Sequence, residues 1–189
     1  MVNTSELLRA IMAGFSIEIV LGNITKIPTD AIVNAANERM LGGGGVDGAI
    51  HSVAGLQLVE ACKLVDENEG VRCPTGEARI TPAFNLPAEY VIHTVGPIWK
   101  GGGNDEEKLL ASAYRSTMQI AEDNMCSSIS FPSISTGAFG FPFQLACEIA
   151  IEVIQEFKFS AIINSVKLVC YSSSDFEKYS KILSNRVRS

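Results

Sequence analysis

Histidine is scarce in this chain, with only His51 and His93, and none of the five cysteines forms a C-x-x-C pair. A zinc site of the usual Cys/His spacing is therefore not available. Cys62, Cys73, Cys126, Cys147 and Cys170 are odd in number and scattered, which argues against a disulfide framework and for a reducing, cytoplasmic setting. Basic runs are missing too. With 15 Lys and Arg against 21 Asp and Glu, the formal charge is −6. The chain lacks the basic face with which a protein grips many phosphates, so broad nucleic-acid binding is not expected. No apolar run approaches the roughly 18 residues of a membrane span. The first nine residues have no basic stretch, and Glu6 and Arg9 interrupt their apolar positions, so a signal peptide is not expected either. No Gly-Lys-Ser/Thr ends a Walker loop, and no G-x-S-x-G elbow presents a serine nucleophile.

What is present suffices for a core. The chain has 189 residues, 47% hydrophobic and 19% charged, which suits one compact domain without staples and excludes intrinsic disorder. Alternation at Ile17, Ile19 and Leu21 predicts a strand, and the apolar run Ala31 to Asn34 predicts a buried one. Further strands are predicted at Glu77 to Thr81, Tyr90 to Val95, Ile129 to Ser133 and Val166 to Tyr171. Helical spacing runs from Val46 to Cys62 and from Asp105 to Glu122, the latter opened by Asn104 and Glu107 in the manner of a capping box. Pro142 can begin another helix, and a last one starts near Asp175. Residues 1–15 read as an N-terminal helical extension, 16–184 as the domain and 185–189 as a frayed tail. Strands interleaved with helices predict an α/β sandwich with a mostly buried sheet.

Two glycine loops are the strongest local signals. Gly43-Gly44-Gly45-Val46-Asp47-Gly48 satisfies G-x-G-x-x-G, yet Ala36 to Leu41 separate it from the preceding strand, and no acidic second strand follows. A Rossmann reading is therefore disfavoured. Four glycines leading into a helix still allow a ligand to approach the backbone and an anion to meet free N–H groups. Ser135-Thr136-Gly137-Ala138-Phe139-Gly140 also lies between a strand and a helix, so both loops fall at one sheet edge and can clamp a pyrophosphate. Asn34, Asn37 and Asp47 stand beside them; singly, Asp47 reads as a helix N-cap and Asn37 as a turn residue. Cys126 and Cys147 read as buried packing residues, His93 as a core histidine, and His51, one turn after Asp47, as a supporting residue.

Taken together, Gly22 to Thr25, Ala31 to Asn37, Leu41 to Gly55, Thr75 to Ala78, Tyr90 to Pro97 and Pro132 to Gly140 resemble the macrodomain signature, in its MacroD-type branch. The resemblance runs in order from about Ile17 to Leu183. It implies a three-layer α/β/α sandwich with a mixed sheet and a cleft for ADP-ribose. It also implies metal-independent hydrolysis of ADP-ribose esters, either O-acetyl-ADP-ribose or mono-ADP-ribosylated acidic side chains of proteins. On that resemblance Asn37 binds the distal ribose and Asp47 activates water. Asn34, Ala36, Gly43, Gly44, Gly45 and Val46 face the ligand, and Ser135, Thr136, Gly137, Ala138 and Phe139 complete the clamp. Asn23 and Ile24 face the adenine, and Phe176 is expected to cover it. Members of the family commonly carry Asp where Asn23 stands, a carboxylate that accepts from the adenine amino group. Asn can accept only through an uncharged amide oxygen, so weaker or less adenine-selective binding is expected. A non-catalytic ADP-ribose reader and an ADP-ribose 1''-phosphate phosphatase remain alternatives, and a monomer is expected.

Overall fold

A computed structural model describes residues 7–11, 14–158 and 162–188. Seven strands form one sheet: β1 (Leu7–Ile11), β2 (Ser16–Leu21), β3 (Ala31–Ala35), β4 (Ala78–Pro82), β5 (Tyr90–Thr94), β6 (Ser128–Phe131) and β7 (Ser165–Cys170). Their order across the sheet is β1-β2-β7-β6-β3-β5-β4. The five inner strands run parallel, and only the edge strands β1 and β4 pair antiparallel, so the sheet is mixed. The helices are α1 (Gly45–Ala54), α2 (Leu56–Lys63), α3 (Glu106–Asp123), α4 (Phe143–Glu156) and α5 (Ser173–Arg188), with a 3₁₀ turn at Ile24–Lys26.

Two cores give the three layers. Val33 and Ile92 pack with Leu110, Tyr114, Met118, Ile151 and Tyr179 of α3, α4 and α5. Ile32 and Val91, one residue away on each strand, pack with Ile50, Ala54, Leu58 and Cys62 of α1 and α2. This is the period-two alternation of a strand buried on both faces. It has a consequence for two polar residues. Asn34 shares the face of Ile32 and His93 that of Val91, and the register sets Asn34 beside His93, both fully buried under α1 and α2.

Several elements differ from the sequence expectation. Residues 7–11 form an edge strand and not a helix: Leu8 and Ala10 turn inward while Leu7 and Ile11 stay exposed, and pairing with β2 decides a short apolar run that helical spacing fitted equally well. The segment 46–62 is two helices, broken at Gly55 (φ 90°), where a Cβ would press against Asn85 Nδ2 at 3.1 Å. The predicted capping box at Asn104 is replaced by the buried Glu106, whose carboxylate accepts from the N–H groups of Lys100, Gly102 and Asn104. Burial opposes that charge, yet these bonds bring its pKa down to about 2. The C-terminal helix runs on to Arg188, past the expected fraying at Ser184, and Arg186 bonds Glu152 of α4 at 2.9 Å. No helix among the described residues is long and apolar enough to cross a membrane.

Candidate active site

Parallel strands place the C-terminal ends of β2, β3, β5, β6 and β7 at one edge, and this is where α/β sheets open a crevice. The opening lies where β6 meets β3. These two strands pair only through Ala31–Ile129 and Ile32–Ser130, whereas β3 stays paired with β5 as far as Ala35. A cavity of about 740 Å³ occupies the gap, a size ordinary for a small-molecule ligand.

Both glycine loops line it. In the first, Gly42 (φ 88°) and Gly45 (φ 59°) take the left-handed conformation that brings the chain into α1. The first bond of that helix is Gly48 N–H to Gly44 O, so the N–H groups of Gly45, Val46 and Asp47 have no carbonyl of their own helix to bond. In the second loop, Phe141 N–H donates to Ser135 O and Gly140 N–H to Gly137 O. The N–H groups of Thr136, Gly137, Ala138 and Phe139 donate to no described group. Two loops with N–H groups unclaimed by the protein line one cavity, whose walls carry no Lys or Arg, an arrangement with the chemistry to accept an anion. The turn carries strain, since Ser135 sits at φ 65°. Gly96 packs beneath it, where any Cβ would collide with Ser135 Oγ and lie 2.6 Å from Ile134 Cγ2.

Asp47 occupies the third position of α1 and does not cap it; the cap is Gly44, with no side-chain bond. Its side chain turns inward and is buried. Asn34 Nδ2 donates to Asp47 Oδ1 at 2.7 Å and reaches His93 Nδ1 at 3.2 Å. Because an amide nitrogen only donates, His93 Nδ1 accepts, and the ring carries its proton on Nε2, donating to Thr81 Oγ1 at 2.9 Å. Burial and the neighbouring His51 push the His93 pKa down to about 3, against the opposite pull of Asp47, so the ring is neutral. His51 Nε2 lies 3.4 Å from Asp47 Oδ1 without making a hydrogen bond. The other carboxylate oxygen, Asp47 Oδ2, faces the glycine loop: a Cβ on Gly43 would stand 2.9 Å from it and 3.3 Å from Asn37 Nδ2. Asn37 is fixed in turn, donating to Gly42 O at 3.1 Å and accepting from Arg39 N–H at 3.1 Å.

Of the predicted residues, Asn23, Ile24, Ala36, Asn37, Gly43 to Asp47 and Ser135 to Phe139 line the cavity. Three expectations need correction. Asn34 does not reach the wall; it lies fully buried beneath and holds Asp47. Phe176 packs away from the cleft, against the main core and into a groove with Leu7 and Leu8, because its place on α5 faces β1. The residues that do line the cleft from this side are Tyr171 and Asp175, which the sequence reading missed although the strand it predicted ended at Tyr171. The amide oxygen of Asn23, finally, is not open to a ligand. It accepts from Thr25 N–H (3.0 Å) and Thr25 Oγ1 (2.8 Å).

His51, Cys62 and His93 place three potential metal donors within 4.8 Å of one another. Both ring nitrogens of His93 are already engaged, by Asn34 and Thr81, and burial raises the Cys62 thiol to about 11, so the trio does not offer a ready ligand set. Burial raises the other four thiols as well, which suits packing and not nucleophilic chemistry.

Fold and cleft together define a class: a three-layer α/β protein with a cleft at the carboxyl edge of its sheet, lined by two glycine loops and a held carboxylate. The chain belongs to the Macro domain family, whose model matches residues 33–150. It is 50% identical over 165 residues to a macro domain-containing protein of Caldanaerobacter subterraneus, covering 87% of this chain and 94% of that one. It is 47% identical over 171 residues to a Salmonella gallinarum protein named O-acetyl-ADP-ribose deacetylase, covering 90% and 95%. The solved Oceanobacillus iheyensis macrodomain with ADP superposes with a TM-score of 0.91 at 42% identity, covering 98% of this chain and 99% of that one.

Proposed function

We propose that the cleft binds ADP-ribose and that the protein hydrolyses esters on its distal ribose, O-acetyl-ADP-ribose and mono-ADP-ribosyl groups on Asp or Glu of other proteins. The observation that carries this reading is the asymmetric setting of Asp47. One carboxylate oxygen is held by Asn34 while the other faces the Gly43 loop and Asn37. A carboxylate fixed on one side and open on the other suits a general base that takes a proton from water, a contribution typically worth about 10²–10⁴-fold. The ester is already activated, so orienting water and ribose supplies much of what remains. Asn37 keeps one amide hydrogen for the ribose after its bond to Gly42 O. The N–H groups of the two loops neutralise the diphosphate, Phe139 borders the distal ribose, and Ile24 lies toward the base.

The Salmonella relative's name and the ADP bound to the Oceanobacillus structure support this ligand class. The reading includes a metal-independent reaction in a cytoplasmic, monomeric protein. A non-catalytic reader requires the same cleft but not Asp47, so release of ADP-ribose from O-acetyl-ADP-ribose and from a glutamate-ADP-ribosylated protein, with chelator present, separates the two. Equal release by wild type and Asp47→Ala removes Asp47 from the mechanism. Binding without release supports the reader, and phosphate release from ADP-ribose 1''-phosphate supports the phosphatase.

A further inference from the structure

Strand β2 lies three strands from β3, roughly 14 Å at ordinary strand spacing, so the cleft's far wall is built by β2 and β7. These strands finish side by side: Leu21 pairs with Cys170, and Gly22 N–H donates to Cys170 O at 2.9 Å. Continued by one step, that register sets Gly22 opposite Tyr171, which is 87% exposed, and Asn23 and Tyr171 line the same cleft. Helix α5 begins at Ser173, so Asp175, in its first turn, joins the same wall. An exposed tyrosine beside Ile24 and Val169 offers a stacking surface for a flat base.

The two polar side chains on this wall have opposite capacities. Asn23 Oδ1 is filled by two bonds from Thr25, which leaves only its N–H₂ to meet a ligand. Asp175 is an acceptor. Its backbone N–H donates to Ser172 Oγ at 3.2 Å, but its carboxylate forms no ion pair or hydrogen bond among the described residues. An acid in the first turn of a helix is common; this one also lines the cleft. An adenine edge presents one donor, the 6-amino group, next to one acceptor, a ring nitrogen. We propose that Asp175 is the specificity-determining residue for the base, accepting from the exocyclic amine while Asn23 Nδ2 donates to the adjacent ring nitrogen. A 6-oxopurine sets its oxygen lone pairs against the carboxylate and is rejected. This inference rests on the cleft being an ADP-ribose site.

The test is calorimetric binding of ADP-ribose and of inosine diphosphate ribose to the full chain, for wild type, Asp175→Asn and Asp175→Ala. The wild type is expected to favour ADP-ribose by about tenfold or more, the scale of one hydrogen bond to a charged group. Both variants are expected to lower that ratio by at least about threefold, while binding of inosine diphosphate ribose reports that the cleft is still folded. A wild type without preference, or a ratio that moves less than this in both variants, overturns the role of Asp175 while leaving the cleft assignment intact. A wild type that binds neither ligand overturns the cleft assignment and this inference together.

Discussion

Between pH 6.5 and 5, acidification destabilises this fold through the buried ring of His93. His93 is fully buried and neutral, with a pKa of about 3 against an ordinary 6.5, and its Nδ1 accepts from the amide that also holds Asp47. Between those two values the unfolded chain binds a proton that the folded chain refuses, so stability rises with pH across this window and falls as pH drops below 6.5. Each pH unit shifts the folding equilibrium about tenfold, and at pH 5 the accumulated loss is about 2 kcal/mol. For a domain of this size that lowers the melting temperature by roughly 4 to 8 °C. Glu106 and Asp30 also have depressed values, but they cost stability only as pH falls through the ordinary carboxylate range, below pH 5. Asp30 is lowered, against burial, by its bonds to Ser127 and Ser128. The assay is thermal melting between pH 7.5 and 5 for wild type and His93→Gln. The variant is expected to melt lower at pH 7.5 but to lose less on acidification. Parallel pH dependences in the two proteins refute the reasoning.

Two substitutions probe the loops around the cleft. Gly43→Ala places a methyl group 2.9 Å from Asp47 Oδ2, and because Asn34 tethers Asp47 and two backbone groups tether Asn37, neither swings clear. A displacement of a few tenths of an ångström is expected to lower kcat by about tenfold, with little change in melting temperature; kcat within twofold of wild type contradicts the placement of Asp47. Gly96→Ala drives a methyl group into Ser135 Oγ and Ile134 and is expected to cost about 1–3 kcal/mol, with weaker ADP-ribose binding because Ser135 opens the second loop. Unchanged melting together with unchanged binding counts against that loop's dependence on Gly96.

Much of this architecture was legible in the sequence because both its signals are local. Alternating apolar residues marked β2, and the unbroken Ala31-Ile32-Val33 marked a strand buried on both faces. The two glycine loops between strands and helices marked the edge at which the cleft opens. What escaped depended on contacts across the chain. Leu7 to Ile11 is a strand only because β2 pairs with it. Asn34 read as a ligand-facing residue until the strand's pleat turned it under α1, where it positions Asp47. Tyr171 and Asp175 become part of the cleft through the register of β7 on β2, and Phe176, the next residue along α5, turns toward β1 instead.

The account's central claim is that Asp47 converts a binding cleft into a hydrolase. Single-turnover release of ADP-ribose from O-acetyl-ADP-ribose, measured with chelator present for wild type and Asp47→Ala alongside calorimetric ADP-ribose binding, tests it most directly. The prediction is release by wild type that falls by about 10²-fold or more in the variant while binding persists. Release by the variant at the wild-type rate contradicts it.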